Sequence, residues 1–341
     1  MKAIKTIGIN SNQPVGRGFN FPYDIAILED DSENPIIYLI NRSSSAASVG
    51  TRIQYFTFDE NWLGEFANSA DPNGVGFVKP VCVDFDKHDN LHVTDESTDE
   101  IKVFTKEGQF SRSIALSGVG ITDTVTDPRF GPSGLCLDKE DNIIVASRYK
   151  NQIVKISQEG HLLNSFGSLG NEPGQFDMPW GISTDSHECI YVADWRNDRI
   201  QKFDRNGTYI RSYGEHGDGD GQLIRPSSVA VNESGLIAVA DWGNERVQVF
   251  DQNGSVNEIL YGDASLSQWS REWLNANLDE KDAREQSDLK NLELPVHLKS
   301  NYHMASQTEH KFWGPVSVKY DSLGRLYVTE HSRHRLQVFG S

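Results

Sequence analysis

The chain has 341 residues and a formal net charge of −17 at neutral pH. This acidic balance excludes nucleic acid and anionic membranes as expected partners, because both require a basic surface. Its three cysteines are too few, and odd in number, for a disulfide framework. No run approaches the roughly 20 apolar residues of a membrane span, and residues 1–10 lack the apolar stretch of a signal peptide. We therefore expect a cytoplasmic protein.

The strongest pattern in the chain is an internal repeat. Residues 192–204 (VADWRNDRIQKFD) return almost unchanged as residues 239–251 (VADWGNERVQVFD). In both copies a proline precedes a large apolar residue by the same fixed spacing of 24 positions, which three further segments share. The five pairs are Pro80 and Phe104, Pro132 and Ile156, Pro179 and Phe203, Pro226 and Phe250, and Pro315 and Phe339. Pro22 and Phe56 fit the same spacing with ten inserted residues, so the sequence contains six units of one repeat.

Each unit divides into four short segments of strand character. In the fourth unit these are residues 181–185, 189–193, 199–203 and 209–213, with polar turns between them. Four short strands per repeat are typical of a propeller blade. The sixth unit ends after its third strand, and residues 3–8 (AIKTIG) read like residues 209–214 (YIRSYG). We predict an all-β fold: one six-bladed β-propeller of four-stranded antiparallel blades over residues 1–341, closed by the N-terminal strand.

The repeated residues resemble the NHL repeat family. The family pattern of Asp, a spaced Asn and then Arg-(Ile/Val)-Gln matches Asp194, Asn197 and residues 199–201. It matches again at Asp241, Asn244 and residues 246–248. The resemblance covers nearly the whole chain except residues 262–312, and it implies the propeller fold much more strongly than any one activity.

Enzymes and binding proteins with similar propellers differ in what they hold at the channel. The peptide-amidating lyases bind zinc through histidines near the channel entrance, but the residues after the six prolines here include no histidine. The gluconolactonase-type propellers place Glu, Asn and Asp around a divalent cation, and no such set aligns here. The RNA-binding members need a basic top face. The metal ligands, if any, are therefore unknown, a divalent metal is not favoured, and no nucleotide-cofactor motif is present.

Two variable positions in each unit share one face of a propeller, at the mouth of the central channel. The position after the second strand holds Arg42, Glu96, Arg148, Trp195, Trp242 and His331. The position after the proline holds Tyr23, Val81, Ser133, Trp180, Ser227 and Val316. A concave mixture of aromatic walls and a few charged groups suits a small-molecule site, although ordinary drift among surface loops would also produce such variation.

We assign candidate roles to these positions and their neighbours. Glu96, His331 and the adjacent Glu330 are the catalytic candidates, because a histidine beside a carboxylate is the usual general-base arrangement. Arg42 and Arg148 are candidates for binding an anionic group, since the planar guanidinium pairs two-point with a carboxylate. The remaining substrate-binding candidates are Tyr23, Trp180, Trp195, Trp242 and His303.

Residues 262–312 are an insertion between the fifth and sixth blades. A capping pattern at residues 265–268 precedes Leu266, Trp269 and Trp273 at helical spacing, and a second, polar helix is predicted over residues 279–292. We expect a helical lid over the channel mouth. A decorative lobe or a contact surface for a partner is the alternative.

Two classes of function follow. In the first, the protein is a lyase or hydrolase that acts by acid/base chemistry on a small, anionic organic substrate at the mouth. In the alternative, it is a non-catalytic scaffold that binds a peptide or a partner protein on its top face. A concave, covered pocket favours the enzyme, and an open, flat apolar face favours the scaffold.

Overall fold

A computed structural model of the protein describes residues 1–43, 50–68, 75–119, 129–288 and 294–340. It confirms the predicted ring of six four-stranded antiparallel sheets. The first strand of every blade contacts the first strands of both neighbouring blades, so these six strands line the central channel. The short helices all lie outside the blades.

The first three blades follow one another along the chain after the N-terminal strand β1 (Lys2–Ile7). Blade 1 contains β2 (Pro22–Leu28), β3 (Ile36–Asn41), β4 (Arg52–Thr57) and β5 (Trp62–Phe66). Blade 2 contains β6 (Pro80–Phe85), β7 (Asn90–Asp95), β8 (Glu100–Thr105) and β9 (Phe110–Ala115). Blade 3 contains β10 (Pro132–Leu137), β11 (Ile143–Ser147), β12 (Gln152–Ile156) and β13 (Leu162–Phe166).

The last three blades repeat this order. Blade 4 contains β14 (Pro179–Thr184), β15 (Ile190–Asp194), β16 (Arg199–Phe203) and β17 (Tyr209–Tyr213). Blade 5 contains β18 (Pro226–Val231), β19 (Ile237–Asp241), β20 (Arg246–Phe250) and β21 (Val256–Leu260). Blade 6 contains β22 (Pro315–Tyr320), β23 (Leu326–Glu330) and β24 (Arg335–Gly340).

The repeated proline opens the innermost strand of all six blades. Proline has no N–H to donate, so it is tolerated at the first residue of a strand and excluded from a central ladder position. The inner strands also approach one another closely. A Cβ added at Gly181 would lie 2.6 Å from the carbonyl oxygen of Ser227 in the next blade, so only glycine fits there.

The N-terminal strand closes the ring, as predicted. β1 pairs antiparallel with β24, and the register includes Ala3 opposite Phe339 and Thr6 opposite Gln337. Blade 6 therefore takes its fourth strand from the other end of the chain. The two ends hold the circle together, and the ring has no open join.

The insertion is helical, as predicted, and contains three helices in its described residues. They are α1 (Gln268–Ala276), α2 (Leu278–Gln286) and α3 (Asn301–Gln307). Short 3₁₀ turns occur at Trp242–Asn244 and Val296–Leu298. A second helix is predicted over residues 279–292, but α2 ends at Gln286, and Ser287 takes an extended backbone conformation; residues 289–293 lie outside the described residues. Within the described chain, no helix combines the length and apolar character needed to cross a membrane.

Helix α1 packs on the seam between blades 6 and 1. Ser267 caps its N-terminus by accepting from Ser270 N, and Ser267 Oγ also donates to Gly8 O. Trp269 is 1% exposed, lies against Phe19 and Phe56, and donates from Nε1 to Glu60 O at 2.7 Å. The apolar side of α1 therefore covers the closure of the ring, at the base of the first blade.

Two isoleucines on β1 test how much the closing strand contributes. Ile7 is fully buried and Ile4 is 49% exposed on the same strand. We expect Ile7→Ala to lower the free energy of unfolding by about 2–5 kcal/mol, because it leaves a cavity in the core. Ile4→Ala should change it by less than about 0.5 kcal/mol. Urea unfolding measures both; equal effects of the two variants would contradict the closure.

Candidate functional site

The six prolines are placed by a hydrogen bond that recurs in every blade, which we call the pre-proline clasp. The side chain of the last residue of the second strand binds the backbone of the residue two positions before the proline. The accepting side chains are Asn41, Asp95, Asp194, Asp241 and Glu330, whose partners are Asn20 N, Val78 N, Asp177 N, Ile224 N and Trp313 N at 2.7–3.0 Å. In blade 3, Ser147 Oγ donates to Phe130 O instead.

The repeated Asp and Arg of the sequence pattern form a buried network around this clasp. Asp194 is fully buried, and its Oδ2 accepts from Asn197 Nδ2, Arg199 Nε and Gln201 Nε2 at 2.9–3.1 Å. Arg199 also donates to the carbonyl oxygens of residues 171, 172 and 175 in the link from blade 3. Burial raises the pKa of Asp194, and the four hydrogen bonds to its carboxylate oppose that effect.

Glu330 occupies the clasp position of blade 6. It is fully buried, accepts from Trp313 N at 3.0 Å and pairs with the Arg335 guanidinium. Arg335 in turn donates to the carbonyl oxygens of Asp263 and Glu309, at the two ends of the insertion. These contacts give Glu330 a structural role, and its side chain does not line the mouth cavity. The catalytic role predicted for Glu330 gains no support from this placement.

In the described part of the chain, a second set of hydrogen bonds joins five of the six blades to the blade that follows, and we call these the blade latches. Five residues just before the third strand adopt left-handed φ of 53–55° and accept from the N–H of the residue preceding the next proline. The pairs are Asp99 with Gly131, Asn151 with Met178, Asp198 with Arg225, Glu245 with Gly314, and His334 with Phe21. The clasp and the latch together hold the backbone of the two residues before the proline. They therefore also limit the position of the residue that follows the proline.

These supports surround a cavity of about 350 Å³ at the channel mouth. Six of the predicted substrate-binding and catalytic residues line it together: Tyr23, Arg148, Trp180, Trp195, Trp242 and His331. The remaining lining residues are Met178, Ser227 and Val316. A separate cavity of only about 30 Å³ lies in the channel beside Asp24, Ser317 and Lys319. The channel is therefore much more constricted at this level than at its mouth.

Arg42, Glu96 and Arg148 form a charged triad, of which Arg148 lines the mouth cavity while Arg42 and Glu96 are not among its lining residues. Arg42 Nη2 lies 2.5 Å from Glu96 Oε1, and Arg148 Nη1 lies 2.8 Å from Glu96 Oε2. The Glu96 side chain is 3% exposed, whereas those of the two arginines are 17% and 16% exposed. Because each carboxylate oxygen faces a guanidinium, Glu96 orients the arginines and leaves one net positive charge at the cavity.

The arginines retain hydrogen-bonding capacity. Arg42 Nη1 and Arg148 Nε are buried and have no hydrogen-bond partner among the described residues. The Arg42 guanidinium lies 4.6 Å from the centre of the Tyr23 ring, and that of Arg148 lies 5.6 Å from the Trp180 ring. Each of these two nitrogens is thus a buried donor whose hydrogen-bonding capacity the described chain leaves unused, which costs free energy.

His331 is a neutral imidazole against the same cavity. Burial, His334 and Arg42 together lower its pKa to about 4. Its ring lies 4.9 Å from the Phe21 ring and 5.9 Å from the Tyr23 ring, and neither ring nitrogen forms a hydrogen bond with the described chain. The ring nitrogens of His331 are therefore available to a hydrogen-bond partner, but the surroundings disfavour its protonated form. The neighbouring His334 has its Nδ1 occupied by the blade latch, and burial lowers its pKa to about 4.

Tyr23 supplies a protonated phenol beside His331. Its pKa is raised, chiefly by burial, although Arg42 and Arg148 oppose the shift. At the narrow level of the channel below, burial disfavours the charge of Lys319, but Asp84 and Asp24 outweigh that effect and raise its pKa. The mouth thus combines a phenol that holds its proton with an imidazole that lacks one.

The insertion borders the mouth without lining it in the described residues. Helix α3 lies beside the 3₁₀ turn of blade 5, where Asn301 Nδ2 is 3.4 Å from Asn244 Oδ1. His303 is exposed and pairs with the capping Ser300 at 2.7 Å, so it does not reach the mouth cavity. A substrate-binding role of His303 is therefore unsupported by its position, and a lid formed by residues 262–312 stays a prediction.

A second, outer cavity of about 610 Å³ adjoins the mouth cavity and shares Trp195 and Trp242 with it. Tyr302 of α3 forms part of its wall. The sequence analysis missed this cavity and the latch residues. A signal existed for the latches, because Asp and Asn tolerate left-handed φ and recur directly before the third strand.

One group of carboxylates in the described chain lies close enough to hold a cation: Asp138, Glu140 and Glu188. These residues belong to the turns between first and second strands, at the opposite end of the blades from the mouth. Lys155 already neutralises Asp138. No metal is assigned to the mouth.

The fold defines the protein as a six-bladed β-propeller, and a cavity lies at the mouth of its channel. Its repeats are NHL repeats: the NHL repeat family matches residues 176–203, 223–250 and 312–339, which fall in blades 4, 5 and 6. The chain is therefore an NHL-repeat propeller, as the sequence pattern indicated. No curated protein sequence matches the chain.

Solved structures share the whole fold. A streptogramin B lyase has a TM-score of 0.58 at 12% identity, over 98% of this chain and 97% of that one. A catalytically inactive variant of virginiamycin B lyase from Staphylococcus aureus, with quinupristin, has 0.54 at 13% over 99% of both chains. A protein of unknown function from Bacteroides thetaiotaomicron has 0.58 at 15%, over 99% of this chain and 74% of that one. At such identity the likeness shows the fold alone.

The latch at Glu245 predicts a pH dependence of stability. Burial raises its pKa from 4.5 to about 7, which outweighs the hydrogen bond from Gly314 N. In the unfolded chain this carboxyl ionises near its ordinary pKa, whereas in the folded protein it stays protonated up to about pH 7. The free energy of unfolding is therefore highest below the ordinary pKa and falls as pH rises through about 7. We expect Glu245→Gln, which keeps an acceptor for Gly314, to flatten the decline between about pH 5 and about pH 8, by up to about 3 kcal/mol.

The midpoint of urea unfolding, determined at several values between about pH 5 and about pH 8, measures this change in stability. Glu233→Gln is the matched control, because Glu233 is exposed in a turn of the same blade. The assignment fails if the wild type and Glu245→Gln show parallel pH profiles.

Proposed function

We propose that the protein is a lyase that acts on a small organic carboxylate bound in the mouth cavity. The observation that carries this proposal is that Arg148, the neutral imidazole of His331 and the half-buried phenol of Tyr23 line one cavity, with the Arg42 guanidinium 4.6 Å from the Tyr23 ring. Two lyases among the structural neighbours are consistent with it. A hydrolase is less well supported, because the mouth presents no nucleophile paired with a base in the described chain.

The arginines suit the charge that an elimination develops. Removal of a proton beside a carboxylate pushes electron density onto the carboxylate oxygens, which the Arg148 guanidinium in the cavity wall would stabilise. Glu96 holds both guanidinium groups in position before the substrate binds. Such fixed donors are effective because they do not reorganise during the reaction.

His331 is the proposed base and Tyr23 the proposed acid. Arg42 is one cause of the lowered pKa of His331, so a bound carboxylate that neutralises Arg42 would raise that pKa toward the range of an effective base. His331 takes the proton, the C–H electron pair forms a carbon–carbon double bond, and the adjacent bond to the leaving group breaks. Tyr23 protonates the leaving group, and the proton on His331 is returned to Tyr23 through solvent.

Replacement of His331 tests the chemistry separately from binding. A screen of carboxylates with a leaving group on the adjacent carbon would detect the new conjugated double bond by ultraviolet absorbance. With any substrate found, His331→Asn should lower kcat by about 10²–10⁴-fold with little change in ligand affinity. His303→Asn, on the exposed helix α3, should leave kcat unchanged.

The same screen has a result that would favour the scaffold alternative. Arginine-dependent ligand binding without turnover, with the wild type and His331→Asn indistinguishable, would contradict a lyase and leave a binding protein.

Arg148 tests the anion site. Arg148→Gln should weaken carboxylate binding about 10-fold to 100-fold, the scale of a lost charge-assisted hydrogen bond. Its unfolding free energy should change by less than about 1 kcal/mol, because Glu96 keeps its ion pair with Arg42. Arg205→Gln, whose side chain is 69% exposed, is the matched control. Calorimetric titration measures the affinity; equal affinities of Arg148→Gln and the wild type would rule out this anion site.

A further inference from the structure

The outer cavity continues the mouth cavity along a row of three tryptophans. The Trp180 and Trp195 ring centres are 6.4 Å apart and the Trp195 and Trp242 ring centres are 6.5 Å apart, with planes tilted by 37° and 40°. Trp195 and Trp242 line both cavities, and Tyr302 extends the aromatic wall outward. The two cavities therefore offer one elongated surface for a ligand made of successive rings.

The charges of the outer cavity nearly balance, in contrast to the net positive mouth. Arg196 lies 3.6 Å from Asp177, and His216 Nδ1 lies 2.7 Å from Asp198. Glu245 lies in the same wall, and burial raises its pKa to about 7. Arg225 also lines this cavity, with its guanidinium 4.9 Å from the centre of the Trp195 ring. The outer cavity thus presents many hydrogen-bonding groups with little net charge, and Arg225 is placed to face a carboxylate on a second ring.

These two properties together select the chemical class of the ligand. A sugar ring has an apolar face of C–H groups that packs on an aromatic ring, and a rim of hydroxyl groups that bonds to planar polar side chains. An unsubstituted aryl group would bury the polar side chains of the outer cavity without forming hydrogen bonds with them, which costs free energy. The mouth requires a carboxylate on the ring that lies beside Arg42 and Arg148.

We propose that the ligand is an acidic oligosaccharide, with a uronic acid in the mouth cavity and the next sugar ring in the outer cavity. This inference rests on the proposed function and names its substrate class. In a uronate the acidic proton is on C5, next to the carboxylate, and the leaving oxygen is on C4. His331 takes the C5 proton, the electron pair forms the C4–C5 double bond, and the departing glycosidic oxygen takes its pair and a proton from Tyr23. The balance needs no oxidant or other co-reactant.

Binding of defined uronates to the full chain tests the inference. The probes are galacturonate, trigalacturonate, the neutral trisaccharide maltotriose and 2-naphthoate as an aryl carboxylate. We expect trigalacturonate to bind at least about 10-fold more tightly than galacturonate, because its additional rings occupy the tryptophan row. Maltotriose should bind more weakly than trigalacturonate because it lacks the carboxylate.

Tyr302→Ala separates the outer cavity from the mouth. Tyr302 is 52% exposed and lines the outer cavity alone, so its removal should bring the trimer to within about 3-fold of the monomer and leave monomer binding unchanged. Tyr261→Ala, similarly exposed at 48% and absent from both cavities, should change neither affinity. Arg148→Gln should weaken monomer and trimer alike.

The outcomes distinguish this inference from the proposed function. Equal affinity for monomer and trimer, or a trimer affinity that Tyr302→Ala leaves intact, overturns the assignment of the outer cavity. Tighter binding of naphthoate than of trigalacturonate, still dependent on Arg148, overturns the sugar and leaves the carboxylate site standing. If no carboxylate binds in an Arg148-dependent way, both proposals fall.

Discussion

The pre-proline clasp is the interaction on which the rest of the structure depends. It joins the end of the second strand to the backbone just before the next inner strand, in all six blades and in the same register. The residue after the second strand and the residue after the proline are consequently brought to one rim. Because the clasp is buried and charged in most blades, removal of one partner would leave an unsatisfied polar group, a cost of several kcal/mol.

This arrangement explains why the chain repeats so closely in some positions and varies in others. Asp194 and Asp241 are fully buried, and each satisfies a fixed set of donors, so an altered side chain there would disrupt the link between blades. The next residue along the chain lies at the mouth and does not accept these hydrogen bonds. Trp195, Trp242 and His331 can differ in chemistry while the same backbone supports them, so a binding site is assembled without a change of fold.

The repeat, the blade count and the closing strand were all readable from the sequence because their signals are local. Prolines mark strand starts, and the missing strand of blade 6 matched residues 3–8. For the site, the sequence predicted only which positions of each repeat lie at the channel mouth. Glu330 stands beside His331 in the chain, yet Arg335 and Trp313 N occupy its carboxylate, and Arg335 also binds both ends of the insertion. The position of α3, the Glu96 pairing and the outer cavity depend on side-chain contacts between separate blades, which spacing along one chain does not encode.

The local charge of the mouth and the total charge of the protein have opposite signs, and distance decides which one a ligand experiences. At physiological ionic strength, charges farther than about 8 Å are largely screened, so most of the acidic surface contributes little inside the cavity. There, two guanidinium groups face one carboxylate, and His331 is neutral. A small anion is attracted once it reaches the rim, whereas a large polyanion would also lie against acidic blades. The geometry therefore favours anions of a few rings, which fit within the two adjoining cavities, over long polyanions that extend onto the acidic blades.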